Sequence, residues 1–208
     1  MHRALEAFLL NARRDSSLAT LLRGYENRCA PPETPAQVKR FQEGRHALES
    51  FYWREGHRLA SAVALEQRFA VWFEGLEISG RLDCALETEA GLELIDFKFT
   101  SNIPEDPDPL QLQLYAAGLQ AVTGATPDTL TYYYLRQDQR VSFPGGDTAI
   151  QAGKERALGT AHQLQEDSLF LPKEGTWCNT CSFQQYCPTQ REHPTPVPQS
   201  LVQARLLL

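Results

Sequence analysis

Apolar residues recur at helical spacing through the first third of the chain and at strand spacing through its middle. Leu5, Phe8 and Leu9 predict a short amphipathic helix over residues 3–13. Ser16 or Ser17 caps a second helix that runs to about Arg28, and Pro31 and Pro32 end it. From Pro35 to about Ala64 a stripe of Phe41, Leu48, Phe51 and Tyr52 predicts a long helix. Leu65 to Phe73, Leu76 to Glu87 and Leu92 to Phe99 then read as an antiparallel meander, with turns at Glu74-Gly75 and Glu89-Ala90-Gly91. A polar loop over 100–107 leads to a helix from Asp108-Pro109 to Gly124, apolar nearly all round. Thr129 to Leu135 and Gln139 to Phe143 give two more strands, and residues 147–167 a polar helix. The expected fold class is α/β, a mixed sheet flanked by helices.

The third strand carries charge where its neighbours are apolar. Asp96 and Lys98 share a face with Leu92 and Leu94, while Glu93, Ile95, Phe97 and Phe99 take the other, so both faces read as covered. The hairpin brings Asp83 beside Asp96. Two carboxylates at one buried point repel unless a cation lies between them or one is protonated, and an oxygen-rich site with open positions suits Mg²⁺ or Mn²⁺. With Lys98 to orient a water or stabilise developing charge, the set suits hydrolysis of a phosphodiester. Taken alone, the triplet Asp96-x-Lys98 is common and reads first as an ion pair, with Asp83 an unrelated surface residue. Cys84 reads as a buried apolar thiol, Glu66 as a strand-end acid near the site or merely solvated, and one of Tyr132, Tyr133 and Tyr134 as a base-stacking ring if exposed.

Composition narrows the class. The 208 residues, 42% hydrophobic and 22% charged, are those of a globular domain with one sizeable core. No apolar run approaches a membrane span and no leader is recognisable, so the cytoplasm is expected. A net charge of −6 argues against coating nucleic acid by charge alone, yet residues 1–68 hold 11 Lys and Arg against 8 Asp and Glu. Five cysteines, three of them in Cys178-x2-Cys181-x5-Cys187, fit metal or cluster ligation better than a disulfide framework.

The order Gly80-x-x-Asp83, twelve intervening residues, Asp96-x-Lys98, then Gln111-x-x-x-Tyr115 resembles the RecB-like branch of the PD-(D/E)XK nucleases. The cysteine triplet, with Cys29 far upstream, is similar to that branch's iron–sulfur subgroup, which includes the CRISPR-associated Cas-four nucleases and the AddB nuclease domain. The resemblance covers about residues 17–190. It implies a restriction-endonuclease-like core over 1–190, in which a cluster joins the N- and C-terminal regions, followed by a Pro-rich linker and apolar tail over 191–208. It also implies a divalent metal held by His46, Asp83, Asp96 and the Phe97 carbonyl, Lys98 aiding the attacking water, and Gln111 and Tyr115 positioning DNA. His57 lies on the same predicted helix as His46, and only one of the two can reach a given metal; Gly44-Arg45-His46 carries the likeness. Cys29, Cys178, Cys181 and Cys187 match a four-iron, four-sulfur cluster by resemblance, although zinc satisfies the same ligand count.

The implied function is a metal-dependent DNA exonuclease acting on single strands or ends, in CRISPR adaptation or recombinational repair. A CRISPR integrase or a helicase is the expected partner, and no membrane is involved. Two rivals stand beside it: a non-catalytic DNA-binding or assembly subunit with a structural cluster, and a redox-responsive iron–sulfur protein.

Overall fold

A computed structural model of the chain describes residues 2–11, 15, 17–169, 171–187 and 189. The elements in chain order are α1 (His2–Asn11), α2 (Leu18–Glu26), α3 (Pro35–Glu55), β1 (Ala62–Phe73), β2 (Leu76–Thr88), β3 (Gly91–Lys98), α4 (Leu110–Thr123), β4 (Thr129–Tyr134), β5 (Gln139–Pro144) and α5 (Gly146–Glu166). Two compact units divide the chain at His162 and Gln163. The expected linker and tail over 191–208 lie outside the described residues.

In the first unit the five strands form one sheet in sequence order. β1, β2 and β3 are antiparallel neighbours; β4 lies parallel to β3, and β5 runs antiparallel to β4. The parallel pair requires a crossover, and the apolar helix α4 supplies it. One sheet face, through Cys84, Leu86, Ile95, Phe97 and Tyr133, buries against α1, α2 and α3. The other, through Leu82, Ala85, Leu94 and Leu130, buries against Leu112, Ala116 and Leu119 of α4. The alternation read from β3 is therefore the alternation observed.

α3 is shorter than its sequence pattern predicts. It begins on a Thr34–Gln37 capping box with Pro35 in its first turn, and it stops at Glu55 rather than near Ala64. Residues Gly56–Ser61 form a 3₁₀ turn, and Ala62 and Ala64 pair with Leu86 and Ala85 of β2. Strand pairing has overridden the local helical preference of this alanine-rich stretch.

A buried ion network ties these layers together. Glu93, on β3, pairs with Arg58 at 2.6 Å and with Arg140 of β5, and accepts from Thr131 Oγ1 at 2.6 Å. Glu55 at the end of α3 bonds both arginines, at 2.5 Å and 2.9 Å. Burial alone would raise the pKa of Glu93, but the hydrogen bonds from Thr131 and Arg58, with Arg140 beside it, carry it below the usual range.

Candidate active site

Three carboxylates stand in a row across β1, β2 and β3. Leu65 pairs with Cys84 and Gln67 with Leu82, so Glu66 lies opposite Asp83. Cys84 pairs with Ile95, so the next step of that register sets Asp83 opposite Asp96. Neighbouring strands are about 5 Å apart, which brings each acid within reach of the next.

The strands are irregular where they carry these acids. On β1, Ala64 faces α4, and so do Phe69, Val71 and Phe73 farther along, which shifts the inward set from even to odd positions. On β2 the same change falls between Leu82 and Ala85. Glu66 sits inside this phase change with φ 48°, in the left-handed region that a glutamate rarely adopts. The three carboxylates open on a cavity of about 490 Å³.

The β2–β3 ladder ends at Cys84 and Ile95. Two residues on, Phe97 pairs with Tyr133 of β4 but not with β2, and its backbone N–H donates instead to Asp83 Oδ2 at 2.8 Å. Asp96, 4% exposed, is held by Lys98 Nζ at 2.7 Å and by Gln111 Nε2 at 3.1 Å. Lys98 also donates to Gln111 Oε1 at 2.6 Å and lies 4.9 Å from the centre of the Tyr132 ring. Gln111 completes the chain by donating to the Tyr115 hydroxyl at 2.9 Å. The i, i+4 spacing on α4 thus puts amide and phenol side by side, but the amide is spent on the site itself.

Two glycines set the position of Tyr115. Phe69 packs edge-on to Tyr115 with ring centres 5.7 Å apart. A Cβ at Gly118 would come within 2.4 Å of the Phe69 ring and one at Gly80 within 3.0 Å, so the ring occupies space that both glycines leave. This gives the glycine of Gly80-x-x-Asp83 a packing role.

The electrostatics follow from the row. Burial raises the Asp83 carboxyl to about 6, with Asp96 adding to it, against the Phe97 N–H, Lys98 and Arg81. Burial, then Asp83, raises Glu66 to about 7, although Arg81 Nε lies 3.2 Å from its carboxylate. The surplus of desolvated negative charge, carried by oxygen donors, is what a hard divalent cation would neutralise. Among the described residues no three His, Cys, Asp or Glu side chains converge as a ready-made metal site.

His46 is not among the residues lining the cavity. α3 buries Gly44, Ala47, Leu48 and Phe51, and His46, two residues before Leu48, projects about 200° away from it and is exposed. His57 is also exposed, in the 3₁₀ turn and not on α3. All three tyrosines of β4 are buried, so none offers an open ring. Glu6 of α1, which sequence reading did not single out, lines the cavity and accepts a hydrogen bond from Arg81. Nothing local marks it, since its place depends on how α1 packs.

Cys29 is half-buried in the first unit beside Tyr25; burial, with Cys29 next to it, raises that phenol to about 12. In the second unit Cys178 and Cys181 lie on one 3₁₀ turn and at its end, and Cys187 follows another. Among the described residues no cysteine forms a disulfide.

The sequence profile of the PD-(D/E)XK nuclease superfamily matches residues 1–188. Curated proteins offer no significant match. Among solved structures, the crystal structure of SSO0001 shares 15% identity over 91% of this chain and 85% of its own, with a TM-score of 0.42. An exonuclease candidate from Eubacterium rectale shares 10% identity over 98% of this chain and 80% of its own, with a TM-score of 0.48. No helix among the described residues is long and apolar enough to cross a membrane.

Proposed function

The chain belongs to the PD-(D/E)XK nuclease superfamily, and from that membership we propose that it is a metal-dependent DNA nuclease cutting single strands or ends from the cavity at Asp83, Asp96 and Lys98. The observation that carries this reading is Lys98 Nζ, fixed at 2.7 Å from Asp96 and 2.6 Å from Gln111 on the wall that Asp83 shares.

Asp83 and Asp96 would hold a divalent cation, with the Phe97 carbonyl beside them. His46, which the family resemblance assigns to the same set, would have to approach from its exposed place on α3. A cation bound there supplies charge neutralisation at the scissile phosphate and a more acidic water. Lys98, restrained on two sides, would orient an attacking water and stabilise charge developing on the phosphate oxygens. Gln111 keeps Lys98 and Asp96 in register, and Tyr115 braces Gln111. Glu66, on the same wall, would add a third carboxylate to the set that holds the cation.

The spacing of Cys29, Cys178, Cys181 and Cys187 in the sequence supports a four-iron, four-sulfur cluster, which iron and sulfide content and the visible spectrum of anaerobically purified protein would test against zinc. A role in CRISPR adaptation or recombinational repair, with an integrase or helicase as partner, is the biological setting the family resemblance favours.

The deciding experiment is degradation of end-labelled single-stranded DNA with Mn²⁺ or Mg²⁺ by the wild type and by Lys98→Ala. Metal-dependent cleavage lost in the folded variant supports the nuclease. An intact wild type that cuts nothing under these conditions returns the weight to a non-catalytic DNA-binding subunit.

A further inference from the structure

The β1–β2 hairpin runs past the cavity and keeps one face bare. Phe69, Val71, Phe73 and Ile78 pack on the side of α4 and α5. Alternation therefore sends Arg68, Ala70 and Trp72 of β1, with Glu77, Ser79 and Arg81 of β2, to the opposite side. All six are exposed, Trp72 at 67%. Their register pairs Arg68 with Arg81, Ala70 with Ser79 and Trp72 with Glu77.

Two arginines directly opposite one another on adjacent strands repel. Arg81 is balanced by Glu6 and Glu66, whereas Arg68 has no ion pair among the described residues. Arg81 also belongs to two hollows at once: it lines the carboxylate cavity, and it lines a second one over Arg68, Ser79 and Gly80. The bare face is thus continuous with the candidate site at a cationic point. From Arg68 to Trp72 the strand advances about 13 Å, a distance of a few nucleotides.

Resting on the nuclease reading, we propose that this face is a track for a single strand of nucleic acid outside the cavity. Arg81 and Arg68 take successive phosphates, the small side chains of Ala70 and Ser79 leave room for the backbone, and the Trp72 indole stacks on an unpaired base. Glu77, across from Trp72, ends the track, because a phosphate beyond it meets a carboxylate. A duplex does not fit the same description, since its base faces are already stacked.

Binding of labelled oligothymidylates of increasing length, with Ca²⁺ in place of a cleavage-supporting metal, tests the track. The expected result is affinity that rises with length in the wild type and an increment that Trp72→Ala reduces about tenfold for the longer oligomers. Arg68→Ala lowers affinity for the same oligomers and reduces the salt slope by about 0.7. Trp53→Ala, at an equally exposed indole on α3, leaves binding unchanged. Wild-type affinity in both hairpin variants overturns the track, as does an equal loss from Trp53→Ala. Cleavage is scored separately on the wild type. Cutting with no effect of either hairpin variant removes the track and keeps the nuclease; length-dependent binding lost in both variants, without cutting, keeps the track and removes the nuclease.

Discussion

Asp83 accepts the backbone N–H of Phe97 at 2.8 Å, where the ladder between their strands has already ended. One carboxylate therefore closes the end of the β2–β3 ladder and faces the cavity. Asp83→Asn keeps an acceptor for Phe97 and removes the charge, whereas Asp83→Ala removes both. Cleavage is expected to fall about 100-fold or more in each, while only the alanine variant loses stability, by roughly 1–2 kcal/mol in urea unfolding. An alanine variant as stable as the asparagine one would contradict the anchoring role.

Stability of the metal-free protein should decline as pH rises. Asp83 and Glu66 have folded-state pKa values of about 6 and about 7, above those of unfolded carboxyls. Their contribution is complete below pH ~4, where folded and unfolded forms are both protonated, and it is lost as pH rises through 6 and 7. Burial is the main cause of both shifts, so the loss is expected between pH 4 and 8. Urea midpoints across that range measure it; the Asp83→Asn, Glu66→Gln double variant should show a flatter curve, and Mn²⁺ should restore the wild type mainly at the alkaline end.

Gln111 distinguishes positioning from substrate contact. Its amide is engaged with Asp96, Lys98 and Tyr115. Gln111→Ala should lower the single-turnover cleavage rate about 10- to 100-fold while changing DNA affinity less than about twofold. An affinity loss that matches the rate loss would identify the amide as a DNA ligand instead.

Glu93→Ala leaves Arg58 and Arg140 to share Glu55 as their one remaining carboxylate. Losing the charge-assisted hydrogen bonds of this buried carboxylate costs about 1.5–3 kcal/mol, because Glu55 still compensates both arginines. Thermal unfolding should show a correspondingly large drop, and cleavage by the fraction still folded should be unchanged, because the network lies outside the cavity lining.

The parts of this site that were legible in the sequence are those fixed by a period of two. Asp96 and Lys98 had to share a face, and a short turn had to return Asp83 beside them, so chain geometry alone assembled the pair. Glu66 was harder to read because β1 starts at Ala62 and changes phase near it, an irregularity with no marker in residue type. For His46 the signal was present: a position two residues before Leu48 lies off the apolar stripe of α3. Residues Tyr132 to Tyr134 were misleading in the opposite sense, since a central strand with both faces covered buries every residue whatever its parity. Glu6 depended on tertiary packing alone.

The backbone of Glu66 has an evolutionary consequence. A glutamate held at φ 48° is paid for in stability, and glycine would occupy that conformation without strain. Only a requirement for the carboxylate opposes the exchange. In a descendant released from cutting nucleic acid, this position would drift to glycine or asparagine early, gaining stability as it lost the acid. Asp83 would persist longer, because it also fastens β3.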